Sequence, residues 1–287
     1  MIVDSAKPIA KVSRDDVETF RNGCMRDGLS PKYVTNALGF LHSIFEYAVR
    51  HDWAPSNPCR YVDAPKSLAA DTAIRFLEPG EVKALLQAVP DGAYGRVQRA
   101  LYLAAVMTGM RQGELLALRW QDVDWSAQRI RVTRNYVRGQ FGTPKSRRGR
   151  SVPLADRLGG ELDRLYKSSA FVADDDLVFG NPRTGKPLNG HALTKTFQLA
   201  LKAANVRQVR FHDLRHTFGT RMAAAGVPMR TLQEWMGHRD FRTTLIYADY
   251  APGAHEVDLV NGAFALPANE KSLVISTRFG PASGGPR

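Results

Sequence analysis

Cysteine is scarce in this chain, with only Cys24 and Cys59 among 287 residues. Two thiols without CxxC or other metal-type spacing build neither a disulfide framework nor a zinc site, and they suit a reducing compartment. Long apolar runs are missing as well. The longest, "LYLAAVMTGM" from Leu101 to Met110, falls well short of the roughly 20 residues that a membrane-spanning helix needs. The opening "MIVDSAKPIA" has no basic stretch followed by an apolar core, so no secretory signal is expected and the chain is expected in the cytoplasm. Acid is the third shortage. Asp and Glu number 28 against 40 Lys and Arg, a net charge of +12. That imbalance favours a polyanionic partner, nucleic acid before others. It is sharpest over residues 126–150, which hold eight Lys or Arg and no acid.

What is present is an ordinary globular composition, 44% apolar, in a chain long enough for two domains. Ser13 followed by "RDDVETFRNGCMRDG" predicts a capped helix with acids in its first turn and Gly28 as its stop. Ser30-Pro31 opens a second helix, in which Val34, Leu38, Leu41, Ile44, Phe45, Ala48 and Val49 recur at helical spacing. The proline-rich stretch after it reads as the end of a small helical unit and the start of a linker. From Phe76 the pattern changes. "EPGEVKALLQAV" and "GRVQRALYLAAVMTG" read as helices, "RIRVTRNYVRG" as one strand and "RSVPL" as its short partner. Helices are expected over 155–166, 191–204, 212–225 and 229–236. The Gly-, Ser- and Pro-rich end reads as a disordered tail.

Two motifs invite readings that their neighbours refuse. "HDLRH" places His212 and His216 four residues apart, like a zinc-protease helix. Asp in place of the required Glu is a methylene too short, and Arg215 would set a fixed cation beside the metal. "GNPRTGK", Gly180 to Lys186, resembles a phosphate-binding loop. Pro187 then stands where that loop needs Ser or Thr, so a tight turn is expected instead.

Three separated segments gather a different chemistry. "TGMRQGEL" places Arg111 just after a helix-breaking glycine, with Glu114 three residues on to orient it. The basic turn "TPKSRRGRSVPL" holds Lys145, Arg147, Arg148 and Arg150. "HDLRHTF" and "MGHRDFRTTLIYAD" bring His212, Arg215, His238 and Tyr247. Together, in order and spacing from about Phe76 to Tyr250, these segments closely resemble the tyrosine recombinase or phage integrase family. "GLSPKYVTNALGFLHSIFEYAVRHDWAPSNP" is similar to that family's core-binding domain, on apolar pattern alone.

The resemblance implies a mainly α fold with a small antiparallel β-sheet, arranged as a two-domain DNA clamp. Residues 1–66 would form a short core-type DNA-binding domain with its linker, 67–268 the catalytic domain and 269–287 a tail. It implies a site-specific recombinase that breaks and rejoins DNA through a 3′-phosphotyrosyl link, with no cofactor, metal or ATP. Tyr247 would be the nucleophile, with His212 the better candidate to take its proton and Lys145 the general acid. Arg111, Arg215 and His238 would bind the phosphate, Glu114 would brace Arg111, and Arg147, Arg148 and Arg150 would contact DNA. His216 reads as a packing residue. The partner implied is double-stranded DNA at paired sites, bound by a homotetramer whose C-terminal segment docks on a neighbour. Two rivals stand beside this: a DNA-binding regulator that no longer cuts, and the same chemistry used as a resolvase or topoisomerase. An extra N-terminal arm-binding domain, frequent in the family, is not expected within these 287 residues.

Overall fold

A computed structural model of the chain describes residues 7–65, 74–143 and 149–250. The chain divides into two compact units, Met1–Ala73 and Ile74–Arg287. Each has its own core.

The first unit is a helical hairpin. Helix α1 spans Arg14–Arg26 and α2 spans Pro31–Arg50. Ser13 caps α1 in a reciprocal box: its hydroxyl accepts from the Asp16 amide, and the Asp16 carboxylate accepts from the Ser13 amide at 2.7 Å. Ser30 caps α2, and Pro31 supplies a first-turn residue with no amide hydrogen to satisfy. Val17, Val34, Leu38, Phe45 and Cys59 form the core. The Asn57 amide ties the chain after α2 back onto the helix, donating to the His42 carbonyl at 3.1 Å and the Glu46 carboxylate at 2.9 Å.

The second unit is built round one buried helix. After α3 (Pro79–Gln87) comes α4 (Ala93–Thr108), whose buried residues fall on every face. A helix apolar all round belongs in a core, and α4 packs against helices on either side. Then follow α5 (Gln112–Leu116), strands β1 (Val123–Asp124), β2 (Arg129–Val132), β3 (Asn135–Val137), β4 (Gln140–Gly142) and β5 (Arg150–Pro153). The remaining helices are α6 (Asp156–Ser168), α7 (Gly190–Ala203), α8 (Asp213–Ala224), α9 (Met229–Met236) and α10 (Arg242–Leu245). The strands form an antiparallel sheet of order β1-β2-β5 and a separate hairpin β3-β4. Among the described residues the architecture is mainly helical with small antiparallel sheets, as expected, and no helix is long and apolar enough to cross a membrane.

One element differs from its expectation. "RIRVTRNYVRG" is not one strand but two, β2 and β3, parting at Thr133 and Arg134. Arg134 turns its guanidinium onto both oxygens of the Asp122 carboxylate, at 2.9 and 2.7 Å. The second half then pairs with β4 through a tight turn at Arg138 and Gly139, both with positive φ (51° and 84°). Two such residues match the twist of a two-residue hairpin. "GNPRTGK" is a tight turn, with Gly180 bridging to Pro187 and the Asn181 amide donating to the Lys186 carbonyl at 2.8 Å.

Candidate active site

The site assembles at the C-terminal ends of α4 and α9 in the second unit. A helix leaves its last carbonyls without intrahelical partners, and here arginines take them up. Helix α4 ends at Gly109, whose φ of 63° is left-handed, and α9 ends at Gly237, with φ 64°. The Gly109 carbonyl accepts from Arg215 Nη1 at 2.5 Å, and the Met236 carbonyl accepts from Arg215 Nη2 at 2.6 Å. The Gly237 carbonyl accepts from Arg111 Nη2 at 3.1 Å, and the Trp235 carbonyl from Arg150 Nε at 2.7 Å. The negative ends of two helix dipoles therefore hold three cations in place.

Glu114 is the one carboxylate among them. It stands in the first turn of α5, 1% exposed at its side chain, and reaches back to the Arg111 amide at 2.8 Å. Its oxygens accept from Arg111 Nη1 at 3.1 Å and from Arg150 Nη1 and Nη2 at 2.9 and 2.7 Å. Burial alone would raise its pKa. The hydrogen bonds and charge of Arg150, then those of Arg111, outweigh burial and hold it below the ordinary carboxylate value.

Arg215 has no such partner. It is 3% exposed and, among the described residues, bonded only to the two carbonyls. Burial, with Arg111 and Arg150 nearby, pushes its pKa down to about 9. Three guanidinium groups thus share one carboxylate, and the surplus of positive charge has no counterion from the described protein. A buried cation left in this state is poised for an anion.

The imidazoles flank these cations in neutral form. Nδ1 of His238 lies 2.9 Å from the hydroxyl of buried Thr244, which leaves Nε2 to face a ligand. Burial, followed by Arg215 and Arg111, lowers its pKa to about 3. His212 stands immediately before α8 with an exposed edge. Even so, desolvation of its ring, followed by Arg215 and His216, lowers its pKa to about 4.

Tyr247 follows α10. It is 1% exposed, and its pKa is pushed up to about 12 by burial, against a smaller opposing pull from Arg215. Its ring lies over Gly219 of α8, where a Cβ would come within 2.4 Å of the phenol's Cζ. Only glycine permits that approach. The Tyr247 hydroxyl lies 2.9 Å from Nδ1 of His216. Tyr250, the other tyrosine near the end of the motif, instead packs edge-on against Phe76.

Of the residues expected from sequence, Arg111, Glu114, Arg215 and His238 are joined by these bonds or lie within electrostatic reach of one another, and Tyr247 adjoins Arg215. Two placements differ from expectation. Arg150, grouped with the DNA contacts, has a side chain only 8% exposed, with its guanidinium taken up by Glu114 and Trp235. It braces the carboxylate because a buried anion shared by Arg111 needs a second cation to keep it charged. His216, read as a packing residue, is the group that meets the Tyr247 hydroxyl, a pairing across 31 residues of sequence that no local pattern signals. Lys145, Arg147 and Arg148 lie outside the described residues.

Residues 75–253 match the phage integrase family. The chain is 27% identical to a XerC-like tyrosine recombinase of Caldanaerobacter subterraneus subsp. tengcongensis, over 89% of this chain and 72% of that protein. It is 28% identical to the ICEBs1 integrase of Bacillus subtilis, over 85% of this chain and 68% of that one. Among solved structures, its fold resembles the Tn1549 transposon integrase in complex with transposon right end DNA, with a TM-score of 0.73 and 22% identity over 90% and 88% of the two chains. A lambda integrase dimer bound to a COC′ core site gives 0.65 and 17% over 87% and 83%. The family match spans more than half of the sequence and takes in every residue of the cation cluster, so this chain belongs to the phage integrase family and is a tyrosine-type site-specific recombinase.

Proposed function

We propose that the chain cleaves and rejoins duplex DNA at paired sites, integrating or excising the DNA between them, with Tyr247 as nucleophile. The observation that carries this is the uncompensated cation cluster of Arg111, Arg150 and Arg215 around Glu114. A phosphodiester carries one negative charge, and more builds on its non-bridging oxygens as a fifth ligand adds to phosphorus. Forked guanidinium donors fixed in advance meet that charge two oxygens at a time. His238 and His212 add neutral hydrogen bonds. Tyr247 attack gives a 3′-phosphotyrosyl link and a free 5′-hydroxyl, and a second 5′-hydroxyl reverses the step. The ester is exchanged rather than hydrolysed, so no ATP is consumed, and the arginines supply the charge that a metal ion would otherwise bring.

The family resemblance supplies the remaining parts of this reading. Lys145 donates the proton that the 5′-oxygen needs to leave, and Arg147 and Arg148 contact flanking phosphates. Residues 1–66 bind the core site, 67–268 carry the chemistry and 269–287 form the tail. Four copies assemble on paired sites, with the segment after Gly253 docking on a neighbour. An apolar groove of about 330 Å³, bordered by Val106, Met107, Phe218, Met222 and Trp235, supports that docking. Deleting residues 254–287 is expected to block tetramer assembly on DNA; unchanged assembly would sink the docking.

The test is a suicide duplex bearing the chain's own crossover site, incubated in EDTA. Wild type is expected to become covalently attached to DNA. Binding without attachment would favour a non-cutting regulator. Recombination between two sites, compared with relaxation of a supercoiled plasmid bearing one, separates a recombinase from a topoisomerase.

A further inference from the structure

The family pattern casts His212 as the group that takes the Tyr247 proton, and the structure surrounds the two histidines differently. Nδ1 of His216 is at hydrogen-bonding distance from the phenol, 2.9 Å, with ring centroids 5.9 Å apart. Among the described residues His212 makes no hydrogen bond to Tyr247. Its ring meets that of His216 edge-on at 5.4 Å. We propose that His216 is a catalytic residue of this recombinase, holding the Tyr247 hydroxyl and taking its proton as the phenol attacks phosphorus. The proposal rests on the recombinase reading above.

Tyr247 Oη forms the bond to phosphorus while its proton passes to His216 Nδ1. The bond from phosphorus to the 5′-oxygen breaks, and that oxygen takes a proton from a separate acid, the ammonium of Lys145 in the family-derived scheme. On rejoining, the 5′-hydroxyl attacks the phosphotyrosine and passes its proton to the Lys145 amine, while His216 returns its proton to the departing phenolate.

Further features of its setting fit His216 for this. Its position is fixed relative to the phenol, because the Tyr247 ring rests on Gly219, one turn along α8 from His216. Its imidazole is neutral and free to accept: burial lowers the pKa from 6.5, Asp213 opposes, and Arg210 and Arg215 add to the lowering. Arg215 also lies within electrostatic reach of both Tyr247 and His216. A phosphate bound on Arg215 would be in electrostatic reach of the phenol and its acceptor together. His216 is only half-buried, so a proton it receives can exchange with water. The tautomer required carries hydrogen on Nε2 and leaves Nδ1 bare.

The experiment compares initial rates of covalent attachment to the suicide duplex for the wild-type chain, His216→Asn and His216→Ala. Asn keeps an acceptor oxygen near the place of Nδ1 and cannot take a proton. Thermal melting and duplex binding check that each variant is folded, with His216→Asn carrying the test if the alanine variant is not. Both variants are expected to lose about 100-fold or more in rate, the usual worth of a positioned base. Their residual rate should rise about tenfold per pH unit, since solvent hydroxide must then deprotonate the phenol, while wild type stays level near neutrality. A duplex with sulfur in place of the leaving 5′-oxygen needs no acid, and it should rescue Lys145→Ala but neither His216 variant. His216→Asn at the wild-type rate would overturn the proposal and leave His216 as a holding contact. So would rescue of His216→Asn by the sulfur substrate. If wild type itself formed no adduct, the recombinase reading would fail, and this proposal with it.

Discussion

Glu114 sets how much positive charge the site can hold. Among the described residues it is the single carboxylate whose oxygens pair with two arginine guanidinium groups, and it is almost wholly buried. Glu114→Gln leaves Arg111 and Arg150 facing each other without an anion. Removing one partner of a buried pair costs roughly 3–5 kcal/mol, so the urea midpoint should fall by that equivalent and cleavage should fall with it. Gly219 sets the seat of Tyr247. Gly219→Ala places a methyl where the Tyr247 ring lies, and adduct formation is expected to drop steeply while duplex binding holds. Arg111, Glu114, Arg215, His238 and Tyr247 were legible as candidates because their motifs are local and ordered. The partner of Tyr247 was not, since a motif records which residues recur and not which side chain turns toward which. Nor was the burial of Arg150 against Glu114, because on a basic turn one arginine looks like another until the fold separates them.

The helices contribute their ends more than their faces. The carbonyls that close α4 and α9 are the ones that hold Arg215, Arg111 and Arg150. Gly109 and Gly237 make both endings possible by their left-handed φ. Gly109→Ala would strain the backbone and drive a Cβ to 2.5 Å from the Phe218 ring. Strain of this kind costs about 1–3 kcal/mol, and it also withdraws an Arg215 anchor. The expected result is a lower urea midpoint together with slower cleavage than that loss explains. Most helices could be read from apolar period and caps, as the Ser13 and Ser30 starts show. The break between β2 and β3 could not, because the Arg134–Asp122 pair that makes it belongs to tertiary structure.

For the whole molecule, charge and pH give the observables. With a net charge of +12 and a fixed cation cluster, duplex binding should weaken linearly in log–log terms as salt rises, with a slope that counts the phosphates neutralised. Stability should fall with acid. His238 has its folded pKa depressed to about 3 from the ordinary 6.5, so the unfolded chain binds more protons between those values. The stabilising contribution is whole above about pH 6.5 and is lost as pH falls toward 3. It amounts to at most ~1.4 kcal/mol per unit, less for a ring that keeps some exposure. Urea midpoints at pH 7 and pH 5 would show it. The same low imidazole values should keep cleavage from declining at pH 6.5, with its acid limb displaced lower.

The most direct measurement is the chemical identity of the protein–DNA link. Wild-type chain trapped on the suicide duplex in EDTA would be digested with protease and nuclease, and the nucleotide-bearing peptide sequenced by mass spectrometry, with Tyr247→Phe in parallel. The expected result is a 3′-phosphate esterified to Tyr247, and no adduct from the variant. A link to Tyr250 or any other residue, or an adduct that survives Tyr247→Phe, would contradict the assignment of the nucleophile and the site built around it.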